Sequence, residues 1–423
     1  MNLQQQFEHA LRCLKQGDID TAERIFRHIL QLRPKTPRVL FLLGMTAFRR
    51  NRFSESIEYF HQAIQHDPNH AESHYNLGVA LKYTKKPSEA VSAFSRTLAL
   101  NKDAAEARWN RALCWLIAEN LEKGLPALDK ALELRNELGL TPRKKFSQPR
   151  WTGEPLNGKR LFVYTEQGLG DTIQFVRFLP FIKEKHETEV IFECRKSLYE
   201  LMKSCPGYDT ILQSNPDTEK PDISFDVQVP LLSLPHIFRT TRSTIPAPVP
   251  YITAPQERVE ARQPEIARKK GRKVGLIWSG NPLPRSARHR HLAFSEFAPF
   301  ASLDGTSFIG LQQLKDAGEP PRPPRGMDFV NFDENLTETA AIIMNLDLVI
   351  SVDTCIAHLA GALGKPVWLL LSWNNDWRWF LDRTDTPWYP SMRLFRQPAP
   401  GDWQSVIRDV NEALREQNKS EKM

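Results

Sequence analysis

Cysteine is scarce in this chain and poorly placed for chemistry. Its five cysteines, Cys13, Cys114, Cys194, Cys205 and Cys355, are scattered over 423 residues with no Cys-x-x-Cys pair. That excludes a disulfide framework and a cysteine-based zinc site, and a reducing, cytoplasmic setting is expected. Long hydrophobic runs are also missing. The best stretch, Ala340 to Val352, is broken by Asn345 and Asp347, far short of the roughly twenty apolar residues of a membrane span. The segment Met1 to Ala10 is polar and lacks the apolar core of a signal peptide. Charge of one sign is not concentrated either: 57 Lys and Arg face 50 Asp and Glu, a net +7. With no basic face interleaved with aromatics, nucleic acid is not an expected partner. The mild positive balance suits acidic ligands such as phosphates.

What the chain does have is a period. Gly44 and Gly78 lie thirty-four residues apart with Ala112 next, and Phe26, Phe60, Phe94 and Leu128 keep the same interval. Units of this length are helix–turn–helix modules that must stack to bury their apolar faces. Four fit, at 3–36, 37–70, 71–104 and 105–138, and their Leu43-Gly44 and Leu77-Gly78 steps resemble the tetratricopeptide repeat. The fourth unit departs from the pattern at Arg111-Ala112, Gly124 and Pro126, as an end unit can. Asn76 and Asn110 share one slot in successive units. A carboxamide ladder there can hydrogen-bond a peptide backbone, so a protein partner on the concave face is expected. The plain alternative is that Asn is simply common at that slot.

From Leu140 to Trp151 the helical period gives way to Pro142, Pro149 and the basic cluster Arg143, Lys144 and Lys145, a boundary signature. Apolar runs at 161–164, 189–193 and 225–229 then alternate with amphipathic stretches, Asp171 to Lys183 reading as a helix. A charged segment interrupts them before new runs at 273–278, 307–311, 346–351 and 367–371. This alternation reads as α/β with parallel sheets, in two Rossmann-like halves with a cleft between. The expected division is a repeat array over 1–139, a first half over 140–254, a linker over 255–272 and a second half over 273–423. The final stretch, Asp402 to Glu416, reads as an amphipathic helix.

Ligands in such folds bind beyond the carboxyl ends of strands, so the loops after strands matter most. After the first comes Glu166-Gln167-Gly168-Leu169-Gly170-Asp171-Thr172, where Gly168 and Gly170 permit a tight turn that points backbone N–H groups at an anion. Ile173 stands where a dinucleotide fingerprint needs its third glycine, which argues against a dehydrogenase. Asp171 also reads plainly as a first-turn acid. In the second half Ser351-Val352-Asp353-Thr354 opens a helix that carries His358, and Trp278-Ser279-Gly280-Asn281 leads to Arg285, Arg288, His289, Arg290 and His291. Arginines there could grip a diphosphate. A solvated basic loop and a structural histidine are the plain alternatives. Trp373, Trp377, Trp379 and Trp388 could stack on a base or sugar, or simply pack a core.

The pairing of Gly-Leu-Gly-Asp with Ser-Val-Asp-Thr-x-x-x-His resembles glycosyltransferase family nine, the heptosyltransferases. Closer still are bacterial proteins that join tetratricopeptide repeats to such a domain. Their marks are Glu-Gln-Gly-Leu-Gly-Asp-Thr-Ile-Gln-Phe (166–175), Pro-Leu-Leu-Ser-Leu-Pro (230–235), Ile-Pro-Ala-Pro-Val-Pro-Tyr (245–251) and Asp-Trp-Arg-Trp (376–379). The resemblance implies a tetratricopeptide solenoid followed by a GT-B fold, whose C-terminal helix, here Asp402 to Glu416, is expected to cross back to the first half. It implies an inverting glycosyltransferase with Asp171 as general base and Gln167, Gly168 and Gly170 as the acceptor or phosphate loop. Asp353, Thr354, His358, Ser279, Asn281, Arg288, Arg290 and Gln312 fall on the donor side.

No Asp-x-Asp motif occurs in the α/β region; the match Asp18-Ile19-Asp20 sits inside the first repeat. A metal-independent enzyme without cofactor, using a nucleotide-sugar as donor substrate, is therefore expected. The acceptor is expected to be a protein held by the repeats. The rivals are a heptosyltransferase acting on a lipid-linked saccharide and a non-catalytic scaffold.

Overall fold

The computed structural model describes residues 1–139, 146–214, 221, 223–280, 289–312, 327–329 and 335–420. The chain forms two compact units, Met1–Thr141 and Pro142–Met423. The first is built of helix pairs: α1 (Leu3–Gln16) with α2 (Ile19–Leu32), α3 (Pro37–Arg49) with α4 (Phe53–His66), α5 (Ala71–Tyr83) with α6 (Pro87–Leu100), and α7 (Ala105–Ile117) with α8 (Leu121–Glu137). The period has a steric cause. A Cβ on Gly44 would lie 2.6 Å from the Phe60 ring, and one on Gly78 would lie 2.7 Å from the Phe94 ring. Glycine in the first helix of the second and third pairs therefore lets an aromatic from the second helix lie against backbone. Phe26, Phe60 and Phe94 are at most 1% exposed, each contributing roughly 1.5–3 kcal/mol by burial. At the fourth unit the roles exchange: Gly124, on α8, sits against Leu116 of α7.

The second unit holds two parallel sheets among the described residues. The first half contributes β1 (Leu161–Tyr164), α9 (Leu169–Phe175), α10 (Leu179–Lys185), β2 (Val190–Cys194), α11 (Lys196–Met202), β3 (Thr210–Gln213), β4 (Val227–Pro230) and α12 (Leu234–Ile237), with strand order β3-β2-β1-β4. After α13 (Gln256–Ala267) come β5 (Arg272–Ile277), β6 (Thr306–Gly310), β7 (Met327–Phe329), α14 (Leu336–Met344), β8 (Leu348–Val352), α15 (Cys355–Ala362), β9 (Val367–Leu371), β10 (Met392–Arg396) and α16 (Trp403–Ser420), with order β10-β9-β8-β5-β6-β7. In both sheets β1 and β8 are interior and fully buried, so the loops that follow them open at the centre of a sheet edge.

Three expectations are corrected. The stretch read as one helix from Asp171 starts at Leu169 and breaks into α9, a 3-10 turn over Val176–Phe178 and α10; Pro180, in the first turn of α10, supplies no amide for the preceding turn. The charged linker folds as α13. Only its Ile266 is buried, and it docks through Arg258 and Arg262 on Glu338 of α14 and through the Val259 carbonyl, which accepts from Asn345. Ion pairs leave no apolar signature in a sequence. The last helix does not cross back: Val406, Ile407, Val410, Ala413 and Leu414 are buried in one cluster with Val274, Phe300, Phe308, Trp368 and Phe395 of its own half. Its apolar stripe is satisfied locally, by the face of β5, β6, β9 and β10.

Replacing Gly78 by Leu should lower stability by about 1–3 kcal/mol, read as a lower urea midpoint of the helical signal. An unchanged midpoint would contradict the close approach of Phe94.

Candidate active site

The loop after β1 and the loop after β8 bring two helix N-termini together. Gly168 is the N-cap of α9 and Thr354 that of α15. A Cβ on Gly170 would stand 2.9 Å from His358 Cδ2 and 3.5 Å from Cys355 Cα. Glycine at this position is thus what allows the first turn of α9 to lie on the first turn of α15. Both positive helix ends face one region.

Asp171 points its two oxygens in different directions. Oδ2 accepts from the Gly168 N–H at 2.8 Å, while Oδ1 pairs with Arg378 Nη2. One oxygen thus serves the helix cap, and the other meets a cation of the second half. Arg378 lies on the 3-10 turn Trp377–Trp379 of the other half, its side chain only 9% exposed. Its Nε donates to Gln174 Oε1 at 2.5 Å and its Nη1 to Asp376 Oδ1 at 2.8 Å. The guanidinium carbon is 5.3 Å from the Phe175 ring and 4.7 Å from the Trp377 ring. Burial alone would raise the pKa of Asp376; Arg378 and Arg290 outweigh it and hold the carboxylate below its usual range.

Asp353 meets the same group of cations from the end of β8. Its Oδ2 lies 3.3 Å from Arg290 Nη1. Burial pushes its carboxyl above the ordinary range, with Arg290 opposing and Asp376 adding to the rise. Arg378 feels Asp376, Asp171 and Asp353 together, so three carboxylates and two arginines form one electrostatic cluster. Beside it, the Ser279 N–H donates to Gln312 Oε1 at 3.0 Å, Ser279 Oγ lies 3.3 Å from His291 Nδ1, and Thr354 Oγ1 is 3.2 Å from Ser351 Oγ. Gln312 therefore ties the end of β6 to the loop after β5.

His358 is 6% exposed, stacks on Trp379 at 5.2 Å and places Nδ1 2.9 Å from Tyr389 Oη. Burial, reinforced by Arg378, presses its pKa down to about 3, so its ring is neutral. Tyr389 is followed by Tyr251, whose hydroxyl accepts from Arg177 Nη2 at 2.5 Å and donates to the Ile173 carbonyl at 3.0 Å. Arg177 also donates to the Pro246 and Trp388 carbonyls. That one buried cation thus binds both halves and the crossing between them.

Of the residues expected from sequence, Asp171, Asp353, Thr354, His358 and Arg290 gather around this junction, with Ser279 and Gln312 beside it. Gly168 and Gly170 shape it. The Gln167 carbonyl accepts from Arg195 at 2.9 Å. Asn281 and Arg288 lie outside the described residues. Asn76 and Asn110 belong to the repeat unit and occupy equivalent places on α5 and α7. Each donates to the carbonyl four residues back, Glu72 at 2.8 Å and Glu106 at 2.9 Å, and Asn110 Oδ1 also accepts from Lys82. A peptide would therefore have to compete for those amides. Sequence reasoning missed Arg378, Asp376, Gln174, Arg177, Tyr251 and Tyr389. The Asp-Trp-Arg-Trp motif was a signal for the first two. Trp377, Trp379 and Trp388 are buried core residues.

Comparison with known proteins agrees with this division. Tetratricopeptide repeat families match residues 37–70 and 75–137, and glycosyltransferase family 9 (heptosyltransferase) matches residues 333–375. The chain thus joins tetratricopeptide-type repeats to a region that is similar to glycosyltransferase family 9. That region contains Asp353, Thr354 and His358 and ends just before Asp376. Protein FlbA of Caulobacter vibrioides is 26% identical over 461 aligned residues, 94% of this chain and 76% of that protein. A CTR9 homolog of Arabidopsis thaliana is 30% identical over 126 residues, 29% of this chain and 12% of that one. Among solved structures, MamA covers 33% of this chain and 81% of its own at 16% identity, with a TM-score of 0.32. No described helix is long and apolar enough to cross a membrane.

The neutral His358 has a measurable consequence. Its pKa of about 3 in the folded chain lies below the unfolded value of 6.5. Between those values the unfolded chain binds a proton that the folded chain refuses. The contribution is therefore complete above the unfolded value and is lost as pH falls, at up to about 1.4 kcal/mol per pH unit. His358→Gln should flatten the acid side of the stability–pH curve, measured by chemical denaturation between about pH 4 and 6. Identical slopes in the two proteins would contradict a neutral His358.

Proposed function

We propose that the second unit is a metal-independent, inverting glycosyltransferase of GT-B type that moves a sugar from a nucleotide-sugar to an acceptor hydroxyl. The observation that carries this reading is the convergence of Asp171, from the first half, and Asp353, from the second, on Arg378, with Arg290 paired to Asp353 beside them. A single displacement needs those parts. Asp171 takes the proton from the acceptor hydroxyl as its oxygen attacks the anomeric carbon. The bond from that carbon to the diphosphate oxygen breaks, and the nucleoside diphosphate leaves with the electron pair. Its growing charge falls where Arg290 and the first amides of α15 stand, doing the work a divalent cation does elsewhere. Asp353 accepts hydroxyls of the donor. Thr354, Ser279 and Gln312 shape the donor pocket, and the neutral His358 offers a hydrogen bond without adding charge.

The repeat array supports a protein acceptor, because a stacked helical surface recognises polypeptide and a saccharide acceptor does not require one. In this reading the protein works in the cytoplasm, where nucleotide-sugars are made. The heptosyltransferase description of the matched family favours a second reading, a lipid-linked saccharide acceptor, with the repeats recruiting partners only.

The test is nucleoside diphosphate or monophosphate release from UDP-, GDP-, ADP-, TDP- and CMP-sugars by the full chain, with Asp171→Asn as control. One donor should be turned over, and the substitution should cost about 10²–10⁴ in rate. No release from any donor, or equal rates for the two proteins, would sink the transferase reading and leave the scaffold.

A further inference from the structure

We propose that Arg378 is a positioning residue for Asp171 and not a ligand of the donor phosphates. This assignment rests on the transferase reading above and names the device that makes its base usable.

Each nitrogen of the Arg378 guanidinium already meets an acceptor of its own protein: Nε the Gln174 amide, Nη1 the Asp376 carboxylate, Nη2 the Asp171 carboxylate. Two aromatic rings, Phe175 and Trp377, lie within 5.3 Å of its Cζ. A guanidinium held on three edges and near two rings cannot swing to a phosphate without breaking several bonds at once. Arg290 is its opposite. It is 36% exposed and lies at a long 3.3 Å from Asp353. The two cations therefore divide the labour, Arg290 being able to exchange its partner for a diphosphate while Arg378 stays.

What Arg378 fixes is orientation. Asp171 Oδ1 is held by Arg378 and Oδ2 by the Gly168 N–H. A carboxylate has about four acceptor sites, so two remain for an incoming hydroxyl while the carboxylate plane cannot rotate. Gln174 lies one turn beyond Asp171 on the same helix and takes the third edge of the guanidinium. The clamp is thus made by one helical face of the first half and one turn of the second. The base is oriented only when the halves are docked.

The experiment uses the full chain and the nucleotide-sugar that it turns over, comparing Arg378→Ala, Arg378→Lys, Arg290→Gln, Asp171→Asn and the double variant Asp171→Asn/Arg378→Ala. Arg378→Ala should lower kcat roughly 10–100-fold with donor KM within about twofold, whereas Arg290→Gln should raise donor KM about tenfold. Since Arg378 acts through Asp171, the double variant should be within about threefold of Asp171→Asn alone. Guanidinium ion at millimolar concentration should restore part of the Arg378→Ala rate and none of the Asp171→Asn rate. Should Arg378→Ala not fold, Arg378→Lys carries the same comparisons, because an ammonium cannot span three acceptors. A raised donor KM in the Arg378 variants, full wild-type turnover, multiplicative losses in the double variant or absent rescue in a folded Arg378→Ala would each overturn the assignment. No turnover by the unsubstituted chain removes the transferase reading and this assignment with it; the other outcomes count against the assignment alone.

Discussion

The Arg378 guanidinium is the interaction on which the second unit turns. It is a buried cation between two sheets, and such a charge is tolerable only when acceptors surround it. Asp171 and Asp376 supply the counter-charge and Gln174 the remaining acceptor. The arrangement forces α9 of one half against the 376–379 turn of the other. The same constraint explains Gly170, since any side chain there would push α9 away from His358. It also helps explain why His358 is neutral: no proton can be added beside Arg378, Arg177 and Arg290 in a buried site without large cost. Arg177 provides a second rivet nearby, holding the Pro246 and Trp388 carbonyls and both tyrosines. Two buried arginines thus fix the geometry in which the two helix N-termini meet.

The repeat unit obeys a simpler rule. In the two central pairs its period places glycine on the first helix and phenylalanine on the second, and each of these pairs closes because one residue lacks what the other would have to displace. Neighbouring pairs are further tied by ion pairs such as Glu23 with Arg52 and Glu55 with Arg27. Its contribution to function is a surface.

Much of this architecture was legible in the sequence because it is carried by local pattern. The thirty-four-residue period and the apolar strands at 161–164 and 367–371 correspond to the observed helix pairs, β1 and β9. Strands β3 and β10 escaped notice because Thr210 to Gln213 is half-exposed at a sheet edge and Met392 to Arg396 alternates with arginine. Helix α13 escaped because charge pairs hold it. In the site, Asp171, Asp353 and His358 could be found because each follows a strand end. Arg378 could not be assigned its place, since its partner Asp171 lies 207 residues away. Such a pairing belongs to tertiary structure, and no spacing within the chain encodes it.

On the proposed reading, this arginine–carboxylate junction receives a nucleotide. Isothermal titration of the full chain with UDP, GDP, ADP, TDP and CMP, repeated on Asp353→Asn, tests it most directly. One nucleotide should bind with a 1:1 stoichiometry, its affinity should fall as salt rises, and the substitution should weaken or abolish it. Binding of none of the five by a folded protein, or binding indifferent to Asp353, would contradict the account.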